Sequence, residues 1–180
     1  MRKLIVSNLM SLDGFFESTD KKLDWFVVEE EFLAYARDML RSVDAIIFGR
    51  ATYEHMAAYW PSAPRDEVAD AMNQLPKIVF SKTLGHVGWN NSRLVASDAG
   101  EEILRLKQQP GKDMVVLGSA TLASSLLQQG LVDEYRVILH PCVLGAGHPL
   151  FKEIRGRIQL KLHKTKLLSS GVIVLYYQMA

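Results

Sequence analysis

Twice in this chain a continuous apolar run ends in glycine and opens directly into a segment of helical period: "AIIFGRATYE" (45 to 54) and "MVVLGSATLASSL" (114 to 126). Uninterrupted apolar runs of this length, without polar alternation, suit strands covered on both faces within a largely parallel sheet. Such strands need helical crossovers, and the intervening sequence supplies them. Further strands are expected at "KLIVSNLM" (3 to 10), "KIVFS" (77 to 81), "RLVA" (93 to 96), "EYRVILH" (134 to 140), "IQLKLHKTKLL" (158 to 168) and "VIVLYYQM" (172 to 179). Helical period appears over 29 to 43, 51 to 60, 99 to 108 and 120 to 130. Asp98 with Glu101 three residues later reads as a helix start, and Gly130 as a stop. After residue 131 the helices cease, and "SSG" (169 to 171) joins the last two strands as a tight antiparallel hairpin. The pattern predicts one α/β domain over 1 to 180, a mixed, mostly parallel sheet with helices on both faces, and an exposed loop at "PSAPRD" (61 to 66).

Composition narrows the partners. A chain of 180 residues with 48% hydrophobic and 23% charged residues can bury a single core, and a net charge of +1 leaves no basic footprint for nucleic acid. The single cysteine, Cys142, cannot pair within the chain, which fits a reducing cytoplasm. The apolar stretch near the N-terminus is short and broken by Ser7 and Asn8, so neither a cleaved leader nor a membrane span is expected.

In a parallel sheet both glycine-ended strands finish at the carboxyl edge, where ligands bind. Gly49 and Gly118 permit close backbone approach, and the free N–H groups of the following helices can take phosphate oxygens. Arg50 and Thr52 add a guanidinium and a hydroxyl, and Ser81, Lys82 and Thr83 end the next strand with the same chemistry. Glycine at a sharp corner, and an Arg50–Glu54 pair one helical turn apart, are the plain alternatives.

"GRATYEHM", "LPKIVFS" and "VVLGSATL", in this order, resemble the dihydrofolate reductase superfamily, and "GLVDEYRVILHPCVLGAGHPLF" with "SLDGFF" resembles its branch related to the reductase domain of riboflavin biosynthesis. The resemblance implies a dihydrofolate-reductase-like, three-layer α/β/α fold of about eight strands and four helices, usually dimeric, binding NADPH along the sheet edge. It also implies that Gly49, Arg50 and Thr52 bind phosphates, with Arg50 near the adenosine 2′-phosphate. Ser81 and Lys82 would flank the adenine ribose, and Gly118, Ser119, Ala120, Thr121 and Leu122 would hold the pyrophosphate. The cations at Arg50 and Lys82 favour NADPH over NADH.

For the chemistry, the resemblance directs attention to the end of the first strand: Asn8, Ser11, Asp13 and Gly14. Asp13 is the first candidate for orienting substrate or relaying a proton, with Asn8 beside it, while "SLDG" reads equally as a turn. Trp25 and Trp60 are read as rim aromatics able to stack on a flat heterocycle, and Phe26 as core. "EEE" (29 to 31) reads as an acidic first helical turn rather than as the carboxylate with which folate reductases bind a pterin. The expected activity is NADPH-dependent hydride transfer to a small pterin- or pyrimidine-like heterocycle. The alternatives are a non-catalytic NADP-binding module and a riboflavin-pathway 5-amino-6-(5-phosphoribosylamino)uracil reductase, for which Arg65 could meet the substrate phosphate.

Overall fold

The computed structural model describes all 180 residues. The elements, in chain order, are β1 (Leu4–Ser11), β2 (Phe15–Glu17), α1 (Glu30–Ser42), β3 (Val43–Gly49), α2 (Arg50–Tyr59), α3 (Glu67–Gln74), β4 (Lys77–Phe80), β5 (Ser92–Val95), α4 (Ala99–Lys107), β6 (Asp113–Leu117), α5 (Ala120–Gln128), β7 (Glu134–His140), β8 (His148–Pro149), β9 (Leu160–Leu167) and β10 (Ile173–Met179). Eight strands form one sheet in the order β5-β4-β3-β6-β1-β7-β10-β9. The first six are mutually parallel, and β10 runs antiparallel to both β7 and β9. No helix is long and apolar enough to cross a membrane.

Side-chain alternation along these strands divides the core in two. Leu4 and Val6 of β1, Met114 and Val116 of β6 and Val137 of β7 pack against α4 and α5 through Ile103, Leu106, Ala123 and Leu126. Ile5, Val115, Ile46 and Ile138 face the opposite way, against Tyr35, Met39 and Leu40 of α1 and Val68 and Met72 of α3. Both faces of the central strands are therefore covered, as their unbroken apolar character requires. At the edge, β9 exposes Lys161 and Lys164, whose charges discourage pairing with another chain.

Three elements depart from the sequence expectation. Helix α3 follows the "PSAPRD" loop as two turns, started by Asp66, whose side chain accepts the Ala69 amide. A further short pair, β2 with β8, forms across some 130 residues of chain. The helices thus number five rather than four. The start at Asp98 holds, its carboxylate accepting the Glu101 amide, and Gly130 ends α5 at φ 68°. The acids of α1 have a tertiary use: Glu29 accepts from Ser170, and Glu31 from the amide and hydroxyl of Ser169, which fastens the β9–β10 turn to the helix start.

Candidate functional site

The strand order sets β3 and β6 side by side, so the two glycine turns meet. Ser119 lies between them. Its hydroxyl accepts the Gly49 amide at 2.7 Å and donates to Thr52 Oγ1 at 2.9 Å, while its own amide donates to the same oxygen at 2.8 Å. Gly118 and Ser119 are both left-handed, at φ 67° and 55°. A Cβ at Gly118 would stand 2.7 Å from Thr52 Cγ2, so glycine is required here both for conformation and for space.

This bracket leaves two helix starts open. α3 and α4 each begin with an aspartate cap and acidic residues in the first turn. α2 and α5 have neither: no side chain caps them and no acid stands in the first turn. The first N–H groups of a helix lack intrahelical partners and carry its positive end, so two uncapped starts at one sheet edge form a cradle for an anion. Ala120, Thr121 and Leu122 carry these groups on α5, and Arg50, Ala51 and Thr52 on α2. Arg50 is exposed, with a loose 3.7 Å pairing to Glu54 that solvent screens. Lys82 is exposed beyond β4.

Several expected ligands turn out to be braces. Thr52 Oγ1 accepts both Ser119 hydrogen bonds, so the residue braces the cradle and keeps its own O–H to donate. Ser81 Oγ accepts the amides of Thr83 and Leu84, closing the turn after β4. Arg65 is at the start of α3, 3.5 Å from Asp70.

At the end of β1 the "SLDG" turn forms, with the Gly14 amide donating to Ser11 O and Gly14 at φ 90°. The Asp13 carboxylate is a clamp. It accepts the Ser11 hydroxyl at 2.7 Å and the amides of Leu144 and Gly145 at 3.1 and 2.8 Å. These donors, the Ser11 hydroxyl foremost, hold its pKa below the ordinary carboxylate range, which suits an anchored anion and not a proton donor near neutrality. Asn8 does not join Asp13. It is on the opposite face of β1 from Ser11, is 1% exposed, and donates to the buried Tyr135 hydroxyl at 3.2 Å. Trp60 is likewise elsewhere, in the α2–α3 corner, with its indole N–H on Met56 Sδ and its carbonyl accepting from Asn73.

Trp25 is at the edge, beside a residue the sequence reading passed over. His140 ends β7 in register with Ser11 and is completely buried. Trp25, Phe26 and Phe32 surround its ring at centroid distances of 5.6, 6.0 and 6.1 Å, all at steep angles. Burial lowers its pKa to about 4, so the imidazole is neutral. His140 Nδ1 accepts the Val27 amide at 3.2 Å, which puts the proton on Nε2. Neither that Nε2 nor Trp25 Nε1 has a hydrogen-bond partner, though both are buried. A buried donor left without a partner costs about 1–3 kcal/mol. The one cue in the sequence was position: a histidine ending a strand at the ligand-binding edge.

A surface cavity of about 790 Å³ opens at the other end of the sheet. Its arginines are already engaged, Arg2 with Asp44 and both Arg93 and Arg105 with Glu102.

Comparison with known proteins agrees with this layout. The family model of the RibD C-terminal domain matches residues 2–174. YyaP of Bacillus subtilis (strain 168), an uncharacterized protein, is 34% identical over 183 residues, spanning 98% of this chain and 94% of YyaP. Acinetobacter baumannii RibD superposes with a TM-score of 0.75 at 16% identity over all of this chain but 58% of its own, so the chain spans little more than half of that protein. Dihydrofolate reductase from Enterococcus faecalis, solved with NADP(H), superposes with a TM-score of 0.66 at 15% identity, over 98% of this chain and 96% of the reductase. The fold is accordingly dihydrofolate-reductase-like, and the chain belongs to the RibD C-terminal domain family.

Proposed function

We propose that this protein is an NADPH-dependent reductase that transfers a hydride to a small heterocyclic acceptor. The observation that carries the reading is the pair of uncapped, acid-free helix starts at Gly49 and Gly118–Ser119, bracketed together by Ser119 and Thr52. A diphosphate fits such a cradle: backbone N–H groups from α5 meet one phosphate, those of α2 the next, and the glycines keep side chains out of the way. Arg50 and Lys82 add mobile cations for a further phosphate monoester, which distinguishes NADPH from NADH.

Bound NADPH would supply the hydride; the chain supplies position and surroundings. Ser11 and Asp13 fix the end of β1 against the 141–147 loop, so the wall next to the cradle is rigid. The segment between β2 and α1 covers His140 with aromatic rings and keeps water from that part of the edge. Asp13, fully occupied by donors, acts as a positioning residue, which leaves protonation of the product to solvent.

Calorimetric titration with NADPH and, separately, NADH tests the reading, followed by loss of NADPH absorbance with pteridine and pyrimidine acceptors, 5-amino-6-(5-phosphoribosylamino)uracil among them. Micromolar NADPH binding, much weaker NADH binding and turnover of one acceptor are expected. Tight NADPH binding without oxidation across the panel would instead establish a non-catalytic NADP-binding module, a reading that the anchored state of Asp13 favours. Binding of neither nucleotide would end the proposal.

A further inference from the structure

The cradle accounts for the cofactor side of the edge and leaves the two vacant donors at His140 and Trp25 without a use. We infer that His140 Nε2–H and Trp25 Nε1–H together form the acceptor-recognition site, a pocket for a carbonyl oxygen on a flat, uncharged heterocycle. The inference rests on the reductase reading for its role, but the pocket stands on its own geometry.

The two rings meet edge to face at 5.6 Å between centroids, so the two donors are carried on side chains packed against each other. Both nitrogens are buried and both lack a partner. The tautomer is set from behind, because His140 Nδ1 is occupied by the Val27 amide at 3.2 Å and only Nε2 is left to carry hydrogen. Two further rings, Phe26 and Phe32, stand against His140 and offer no acceptor. An aromatic pocket with two donors selects oxygen. It selects against an amino or amidine edge, whose own N–H groups would face N–H groups.

Asp24, the neighbour of Trp25 in sequence, is exposed to solvent, and the other carboxylates of this end are engaged. Glu29 and Glu31 are spent on Ser169 and Ser170, Glu30 is paired with Arg37, and Asp13 is in its clamp. The location also suits an acceptor site. β7 is separated from β6 only by β1, and His140 stands two strand spacings across and three residues further along the strand direction than the Gly118 turn, roughly 14 Å away. Entry runs through the segment 21 to 29, which has no helix or strand, holds Trp25 only partly buried and exposes Val27 and Val28.

The experiment compares two probes of the same shape, pteridine-2,4-dione and 2,4-diaminopteridine, by calorimetry on the native protein, on Trp25→Phe and on His140→Phe, with an NADPH titration of each. The dione is expected to bind at least about tenfold tighter than the diamine to the native protein, each substitution costing the dione about tenfold. The diamine and NADPH should be unaffected by Trp25→Phe, which retains the aromatic wall. Equal binding of the two probes, binding of neither, or a dione affinity indifferent to Trp25→Phe would overturn the pocket. If the probe difference appears in a protein that does not bind NADPH, the pocket stands and the reductase reading falls. If NADPH binds and the probe difference is absent, the reverse holds.

Discussion

Thr52 Oγ1 accepts two hydrogen bonds from Ser119, one from its amide at 2.8 Å and one from its hydroxyl at 2.9 Å. The two residues are far apart in sequence, yet this contact couples the first turns of α2 and α5 and sets the width of the cradle. Thr52→Val keeps the shape and removes the acceptor, stranding the Ser119 amide. The loss expected in urea unfolding is about 1–3 kcal/mol, accompanied by weaker NADPH binding. Full stability with normal NADPH affinity would show that the bracket does not shape the cradle.

Arg50 is exposed and only loosely paired with Glu54, so its removal leaves the fold intact. Arg50→Ala should weaken NADPH by roughly 1.5–3 kcal/mol, the worth of a charged hydrogen bond, and NADH by much less. Calorimetry on both nucleotides decides the matter. An equal loss for both would move Arg50 from the 2′-phosphate to the diphosphate.

The sheet, four of the helices and the two glycine turns were legible because each is written locally, in apolar runs, helical period and glycine placement. What the sequence hid is what depends on distant partners. The strands β2 and β8 are short enough that only their pairing defines them. Helix α3 spans two turns, too few for its buried Val68, Ala69 and Met72 to show a period among acidic neighbours, although Asp66 marked its start. At the site, Gly49 and Gly118 could be singled out from their own neighbourhoods. That Thr52 would serve as a brace follows from Ser119, and the role of Asp13 follows from Leu144 and Gly145. Nothing local to positions 25 or 140 says that two donors will be buried without partners.

Asp13→Asn separates a clamp from a catalytic group. Asparagine keeps one acceptor oxygen and turns an NH₂ toward donors that need none, so the 141–147 loop should loosen. Hydrogen exchange at the Leu144 and Gly145 amides is expected to quicken by about tenfold, with NADPH affinity little changed. Unaltered exchange together with lost turnover would restore Asp13 to a direct part in the chemistry.

His140 gives the protein a pH signature of its own. The imidazole titrates near 6.5 in the unfolded chain and at about 4 in the folded one, because burial disfavours its charged form. Between those values the unfolded chain binds more protons, so stability is full above about pH 6.5 and declines as pH falls toward 4. The carboxylates held low in the native state, Asp13, Glu31 and Glu102, work in a lower range, their contribution being lost only as pH falls below the unfolded carboxylate values near 4. Urea unfolding at pH 7, 6 and 5 should therefore show the native protein losing stability stepwise, while His140→Phe, which fills the aromatic cage without a titrating group, gives a flatter profile. Parallel profiles for the two proteins would mean that His140 meets its proton at an ordinary pKa, and that the pocket around it is wet.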